Sequence, residues 1–304
     1  MSFEMELEEY KEDLLIQSSR KRCLVTGGAG FVGTNLIKRL LKDEYEVVSF
    51  DNYSTGFKDN RLKGCTYFDV DITEKFDDWK EKFDVIFHLA ALARIQPSIK
   101  SPSETIKNNF DGTLNVLEYA RKKNTPVIYA GSSSKHHGLY GSPYAWSKYG
   151  GEELCKLYSE IYDLNTTICR FYNVYGSHHI RSGTYATVIG IFENQYLNGN
   201  PLTIVGDGKQ KRDFTHIDDI VDGIVRCINK EYAGEIFELG SGKNYSINEV
   251  ANMFNYQTTY ISARPGEYDV TLCDYSKAKN LLGYKPKGNL KEYILKWIGE
   301  NKNV

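Results

Sequence analysis

Val25-Thr26-Gly27-Gly28-Ala29-Gly30-Phe31-Val32-Gly33, taken together with Asp51, decides how this chain folds. An apolar run, Cys23-Leu24-Val25, enters the glycines, and a helical pattern with Phe31, Leu36, Ile37, Leu40 and Leu41 on one face leaves them. A second apolar run, Val47, Val48 and Phe50, then ends in the acid. The order is strand, tight turn, helix, strand, with a carboxylate placed for a ribose. The glycines have separate tasks: one permits the turn, one lets backbone N–H groups approach a pyrophosphate, and one lets helix pack on strand. The spacing Gly-x-x-Gly-x-x-Gly is weak in isolation, and a purely structural glycine turn is the competing reading. The strand-helix-strand context decides for a dinucleotide site.

With 304 residues, 41% of them hydrophobic, the chain can bury a full core as one large or two intimate domains. A net charge of −2 leaves no electrostatic footprint for nucleic acid or an anionic membrane. No apolar run approaches the roughly 20 residues of a spanning helix. The first residues carry Glu4, Glu6, Glu8 and Glu9 and lack the basic and apolar regions of a signal peptide. Six cysteines (Cys23, Cys65, Cys155, Cys169, Cys227, Cys273) are scattered without paired or metal-like spacing. These features lead to the expectation of a cytoplasmic protein.

Residues 1–20 read as an acidic extension, with Phe3, Leu7, Leu14 and Leu15 allowing one helix and no function assigned. From 21 to 172, strand-like and helix-like segments alternate. The expected strands are Cys23–Thr26, Glu46–Asp51, Thr66–Asp71, Val85–Leu89, Val127–Ala130 and Thr167–Phe171, with helices such as Asp111–Lys123 and Tyr144–Leu164 between them. That alternation predicts an α/β fold with a Rossmann-type, doubly wound parallel sheet binding the cofactor. After Asn173, short apolar stretches between Gly-rich turns (Asn198-Gly199-Asn200-Pro201, Gly206-Asp207-Gly208) predict a smaller C-terminal α/β substrate domain over 173–213 and 241–304. Phe214–Ile228 looks like a return to the first domain, which takes back 214–240, and the ligand is expected between the two parts.

Ser132-Ser133-Ser134, followed by Tyr144-Ala145-Trp146-Ser147-Lys148, is the second constellation. Tyr-x-x-x-Lys occurs three times, as Tyr119/Lys123, Tyr144/Lys148 and Tyr275/Lys279. Only the middle pair follows Ser142-Pro143 at a plausible helix start and trails a serine cluster leaving a strand. Positions four apart share a helix face, so Lys148 can reach toward the Tyr144 hydroxyl. A phenol with a pKa of about 10 is a poor base at neutral pH, and lowering it by about three units takes roughly 4 kcal/mol of phenolate stabilisation. An ammonium at about 4 Å supplies energy of that order at an effective dielectric of about 20. The alternative is an ordinary amphipathic helix with an exposed lysine.

These residues resemble the extended short-chain dehydrogenase/reductases, and within them the NAD-dependent nucleotide-sugar epimerase/dehydratase family, over about residues 21–300. The resemblance rests on Thr26–Gly33, Asp51-Asn52-Tyr53-Ser54-Thr55-Gly56, Asp71-Ile72, His88-Leu89-Ala90-Ala91, Asn109 with Gly112-Thr113, the serine cluster and Tyr144/Lys148. Later in the chain come Arg170-Phe171-Tyr172-Asn173, Gly206-Asp207-Gly208 with Arg212-Asp213-Phe214, and Arg264-Pro265-Gly266-Glu267. It implies NAD as cofactor, held by Gly27, Gly30, Phe31, Val32, Gly33, Asn52, Ser54, Gly56 and Asn109. Asp51 would take the ribose hydroxyls and repel a 2′-phosphate. Asp71 and Ile72 would lie beside the adenine, and Leu89, Ala90 and Ala91 would line the cofactor groove. Asn173, Arg212 and Arg264 look like the family's diphosphate contacts, two guanidiniums suiting a diphosphate because each forks onto its oxygens; surface salt bridges are the competing use. Val188, Ser133 and Ser134 would join them on the substrate.

The family's 4,6-dehydratases carry Thr-Asp-Glu at the serine cluster, where this chain has hydroxyls only, as its epimerases do. The resemblance therefore implies an epimerase acting at C4 of a UDP-hexose through a 4-keto intermediate, with Tyr144 as base, Ser132 on the same oxygen, and Lys148 on the cofactor ribose. A dehydratase or other keto-intermediate enzyme, or an NAD-binding regulatory protein without turnover, are the alternatives. The family's dimers pair through the helices expected at Asp111–Lys123 and Tyr144–Leu164, which implies a homodimer. Two departures stand out. Ser132 and Tyr144 are only twelve positions apart, with Lys135-His136-His137 in place of the usual Val-Tyr turn, so a more open sugar end is expected. Thr271 stands where some relatives specific for plain hexoses carry Tyr, so room for an N-acetyl group is expected there. Neither His136/His137 nor His178/His179 has an acid or Cys spaced as a metal partner, so no metal is expected.

Overall fold

Each of the apolar runs forms a strand, and the computed structural model describes residues 20–76, 79–228, 232–266 and 268–301. In chain order the first half contains β1 (Arg22–Thr26), α1 (Phe31–Lys42), β2 (Glu46–Asp51), β3 (Cys65–Asp69), β4 (Val85–His88), α2 (Ile95–Lys100), α3 (Pro102–Ile106), α4 (Gly112–Lys123), β5 (Val127–Ser132), α5 (Pro143–Tyr162) and β6 (Thr166–Phe171). The second half adds β7 (Val174–Tyr175), α6 (Val188–Leu197), β8 (Leu202–Val205), β9 (Lys211–Asp213), β10 (Thr215–His216), α7 (Ile217–Val225), β11 (Glu235–Leu239), β12 (Asn244–Ser246), α8 (Ile247–Phe254), β13 (Thr258–Ile261), α9 (Ser276–Leu282) and α10 (Leu290–Asn301). Seven strands form one sheet in the order β3-β2-β1-β4-β5-β6-β11, and every neighbouring pair is parallel. The chain reverses its direction of travel across the sheet between β1 and β4. A crevice therefore opens at the C-terminal ends of those two strands, where sheets of this order take their ligands.

Both faces of the sheet are covered. Along β1, Cys23 and Val25 pack with Leu36, Ile37 and Leu40 of α1 and with Ile217, Ile220 and Ile224 of α7. Leu24 points the other way, into a cluster with Val116 and Leu117 of α4 and Cys155 of α5. Burial on both sides explains why these strands read as unbroken apolar runs. Within Phe214–Ile228, α7 packs against the cluster of Cys23 and Val25, and β11 adds a seventh strand that the apolar runs did not announce. The remaining elements pair in small sheets, β9 antiparallel with β12 and β8 parallel with β13, around Phe192, Ile204, Phe254 and Trp297.

Four boundaries differ from expectation in ways that bear on the site. The strand expected to reach Asp71 stops at Asp69, because Asp71 Oδ1 accepts the Thr73 N–H at 2.8 Å and turns the chain. β5 continues past Ala130 to Ser132, which carries the serine to the sheet's edge. The long helix ends at Tyr162, where Asp163 adopts φ 53°. The helix expected from Asp111 starts at Gly112, continuing a π-helical stretch over Lys107–Asp111. The acidic extension, apart from Arg20, lies outside the described residues. Among the described residues no helix is long and apolar enough to cross a membrane, and all six cysteines are free.

Candidate active site

A cavity of about 970 Å³ opens over the crevice. Its floor is the glycine turn. Gly27 sits at φ +73°, and a Cβ there would lie 2.9 Å from the Ala90 backbone; a Cβ on Gly33 would lie 2.1 Å from the Gly27 carbonyl oxygen. The turn thus holds strand, helix and the β4 exit at distances that only glycine allows. α1 begins without a side-chain cap, and Phe31 and Val32 line the cavity, so its first N–H groups are left for an anion. Asp51 also lines it, with Oδ2 accepting from Ala29 N and Oδ1 from Tyr53 N, both at 2.8 Å. Burial pushes the Asp51 carboxyl pKa up against the pull of those two N–H donors. Gly30, Asn52, Ser54, Gly56, Ile72, Leu89, Ala90 and Ala91 complete this end of the wall.

Three of the expected cofactor residues stand behind the wall. Asp71 is engaged by Thr73 and by Asn52 Nδ2. Asn109 clasps Leu92, accepting from its N–H and donating to its carbonyl, and also donates to Ser147 Oγ. Lys148 is the third.

At the other end, Ser142 caps α5 by accepting from Ala145 N, with Pro143 in the first helical position. This fixes Tyr144 in the first turn, opposite the end of β5. Tyr144 OH donates to Ser132 Oγ at 3.2 Å, and the same oxygen accepts Ser134 N at 3.2 Å. Burial pushes the Tyr144 pKa up, while the Ser132 hydroxyl and the Arg94 guanidinium pull it back. Lys148, one helical turn on from Tyr144, extends toward Tyr129. Its ammonium lies 4.1 Å above the Tyr129 ring, whose face attracts a cation, and burial brings its pKa down to about 8 against the opposing pull of Glu152. Arg94, which the motifs did not single out, also bears on Tyr144, its guanidinium pulling the phenol's pKa down. Its only signal in sequence is its place three residues after Ala91, on the loop leaving a strand's C-terminal end.

The expected substrate residues converge on the same cavity. Ser133, Ser134, Asn173, Val188, Arg212, Arg264 and Thr271 all line it. Asn173 donates from Nδ2 to the Asp213 carbonyl at 3.1 Å and to Thr271 Oγ1 at 3.2 Å, and Thr271 Oγ1 also accepts Asp213 N at 3.0 Å. Thr271 is thus a brace between strands as well as a wall. The short loop before Tyr144 is latched: His136 Nε2 meets Glu238 Oε1 at 2.8 Å, and the His137 ring lies 4.6 Å from that of Tyr268. Val188, Ile189, Ile191, Val205 and Ile247 form an apolar wall beyond the arginines. Among the described lining residues Asp51 is the only acid, against Arg94, Lys100, Arg212 and Arg264. Such a balance suits a polyanionic ligand. No group of three or more His, Cys, Asp or Glu among the described residues is arranged to hold a metal ion.

The model of the NAD dependent epimerase/dehydratase family matches residues 23–240. A Methanocaldococcus jannaschii protein with the provisional name UDP-glucose 4-epimerase is 34% identical over 303 residues, covering 92% of this chain and 98% of its own length. The UDP-N-acetyl-alpha-D-glucosaminuronate decarboxylase of Bacillus cytotoxicus is 35% identical over 268 residues, 81% of this chain and 82% of its own. Among solved structures, the UDP-glucuronic acid 4-epimerase of Bacillus cereus, in complex with UDP-glucuronic acid and NAD, superposes with a TM-score of 0.85 at 28% identity, over 93% of this chain and 99% of that one.

Proposed function

We propose a function from one premise: the chain belongs to the NAD-dependent epimerase/dehydratase family, and NAD is its cofactor. The glycine cradle, the uncapped start of α1 and Asp51 fit that group, with Phe31 and Val32 N–H toward its pyrophosphate and Asp51 toward its adenosine ribose. In this reading the sheet through residue 172, with 214–240, carries NAD, and 173–213 with 241–304 carries a nucleotide sugar. Arg212 and Arg264 hold the diphosphate, and the apolar wall at Val188 takes the base, which we assign as uracil. A pair of subunits joined through α4 and α5 is the assembly that accompanies this reading.

The reaction is 4-epimerisation. Bound NAD supplies the hydride acceptor for C4 and the donor that returns it. Tyr144, as phenolate, takes the 4-OH proton, Ser132 Oγ hydrogen-bonds the same oxygen, and Arg94 favours the phenolate from the cavity side. Lys148 turns to the nicotinamide ribose. The 4-keto sugar then presents its other face, and Tyr144 gives the proton back to O4.

One observation carries epimerisation over dehydration: Ser133 and Ser134 flank Ser132, and the only described acid in the wall is Asp51, at the cofactor end. Among the described residues no carboxylic acid lines the wall beside Tyr144 to protonate a leaving hydroxyl. Incubation with a panel of nucleotide sugars, with the products resolved by NMR, tests this. C4 epimers are expected; a 4-keto-6-deoxy sugar would replace the reading with dehydration.

A further inference from the structure

The cavity holds one more cation than NAD and a substrate diphosphate require. The cofactor's pyrophosphate has the start of α1, the substrate's has Arg212 and Arg264, and Lys100 is exposed at the rim. Arg94 lines the same cavity and bears on Tyr144. Its Nε donates to the Tyr185 carbonyl at 3.0 Å, which fixes the guanidinium plane, and no described carboxylate pairs with it. Burial pulls its pKa below the ordinary arginine value, with Tyr144 opposing. A guanidinium drawn into a wall without a counter-ion is costly unless the ligand brings one. Also in the cavity lining, beside the Ser132 oxygen that Tyr144 contacts, the Oγ of Ser134 is buried without a hydrogen-bond partner among the described residues.

The chemistry of the sugar says what that counter-ion is. If O4 sits on Tyr144, the substituent on the adjacent C5 is the next group along the ring, within reach of whatever faces Tyr144. On a plain hexose that substituent is a hydroxymethyl group, which leaves the charge unanswered. On a hexuronate it is a carboxylate, whose two oxygens match the Nη1–Nη2 edge that the Tyr185 contact leaves free on the guanidinium and can also accept from a serine hydroxyl.

We propose that Arg94 and Ser134 form a carboxylate site for the C5 substituent, so that the preferred substrate is a nucleotide-linked hexuronate. This rests on the 4-epimerase reading for the placement of O4. Two relatives with uronates in their names, the Bacillus cytotoxicus decarboxylase and the Bacillus cereus epimerase, agree in kind without sharing the argument from Arg94.

The test uses the NAD-loaded protein with UDP-glucuronate and UDP-glucose, reading affinity by calorimetry and products by NMR. UDP-glucuronate is expected to bind at least tenfold more tightly and to yield UDP-galacturonate. Arg94→Met is expected to remove most of that preference, Arg94→Lys to keep part of it, and Ser134→Ala, which leaves the Tyr185 contact intact, to reduce it severalfold. Equal affinity of the wild type for both sugars, or equal weakening of both in Arg94→Met and Ser134→Ala, overturns the carboxylate site and leaves Arg94 as a partner of Tyr144 alone. Interconversion of UDP-glucose and UDP-galactose without uronate binding overturns it too, and leaves the 4-epimerase standing. Arg94-dependent uronate binding with release of carbon dioxide and a UDP-pentose supports the site and overturns epimerisation.

Discussion

The backbone N–H of Ser132 donates to Glu152 Oε1 at 3.3 Å, so a carboxylate on α5 fixes the strand end that carries the Ser132 hydroxyl. Tyr144 rises from the same helix two turns earlier. Ser132 and Tyr144 are therefore held against each other twice, once by their own hydrogen bond and once through Glu152. Glu152 is itself pinned by Arg170, with Nη2 at 2.6 Å from Oε2, and Arg170 Nη1 reaches Glu238 at 2.8 Å. Glu238 in turn receives Tyr172 OH at 2.9 Å and the loop residue His136.

Breaking a buried ion pair by removing one partner costs about 3–5 kcal/mol, because the other charge stays buried. Glu152→Ala is expected to lose stability of that order and to melt several degrees lower. Glu152→Gln keeps the shape and one acceptor, so it should melt closer to wild type while turnover falls, since Ser132 loses its fixed height. A Glu152→Ala protein that melts with the wild type would show that Arg170 is satisfied by Glu238 alone.

Tyr144→Phe keeps the ring in place and removes the proton acceptor. Turnover is expected to fall about 10²–10⁴-fold while NAD binding survives. Tyr119→Phe and Tyr275→Phe serve as contrasts, because Tyr119 OH donates to the Glu81 carbonyl and Tyr275 packs on the Tyr284 ring, both away from the cavity. Their effects should appear in stability and leave turnover within severalfold. Near-wild-type turnover in Tyr144→Phe would remove it from the chemistry.

Much of this site could be read along the chain because its parts are local. The glycine turn needs three glycines within seven residues, and Tyr144 and Lys148 need one helix turn. The sheet followed from apolar runs long enough to be buried on both faces. What escaped was whatever depended on distant pairing. Arg94 acquires meaning only where its loop meets Tyr144 and the Tyr185 carbonyl, ninety-one residues on. Lys148 was placed on the correct face of its helix, but its ammonium turned to Tyr129 on a neighbouring strand, a contact invisible to helical spacing. Thr271 was read as a free wall, yet its hydroxyl ties Asn173 to β9, so a bulky replacement there damages the fold along with the pocket.

In the proposed reading Asp51 selects the cofactor. Its two carboxylate oxygens already accept from Ala29 and Tyr53, and each keeps a lone pair for a ribose hydroxyl. A 2′-phosphate would bring like charge against it. NADP is expected to bind at least tenfold more weakly than NAD, and Asp51→Asn to narrow the gap, as measured by fluorescence titration of the apoprotein. A wild-type preference for NADP would overturn the assignment of Asp51 to the ribose.

His88 makes the fold sensitive to acid. Its ring is buried between Thr26 and Thr113, with Nδ1 2.8 Å from Thr26 Oγ1 and Nε2 2.9 Å from Thr113 Oγ1. Thr113 donates its own proton to the Asn109 carbonyl at 2.6 Å, so it accepts from Nε2–H, and Nδ1 must accept from Thr26. Thr26 Oγ1 in turn receives the N–H groups of Leu89 and Ala90, the residues that form the cofactor groove. The ring is therefore held neutral, and burial, with the Lys148 ammonium adding to it, pulls its pKa down to about 3. In the unfolded chain the same group titrates at about 6.5. Between those values the unfolded chain binds a proton that the folded chain does not, so stability is full above about pH 6.5 and is lost as pH falls toward 3. At about pH 4.5 the loss amounts to roughly 3 kcal/mol. His88→Asn cannot titrate, so its stability deficit relative to wild type should shrink by about that amount between pH 7 and about 4.5 in urea unfolding, other carboxylates cancelling in the comparison. A deficit that stays constant across this range would mean that His88 carries a proton in the folded protein, and that Thr26 is not its donor.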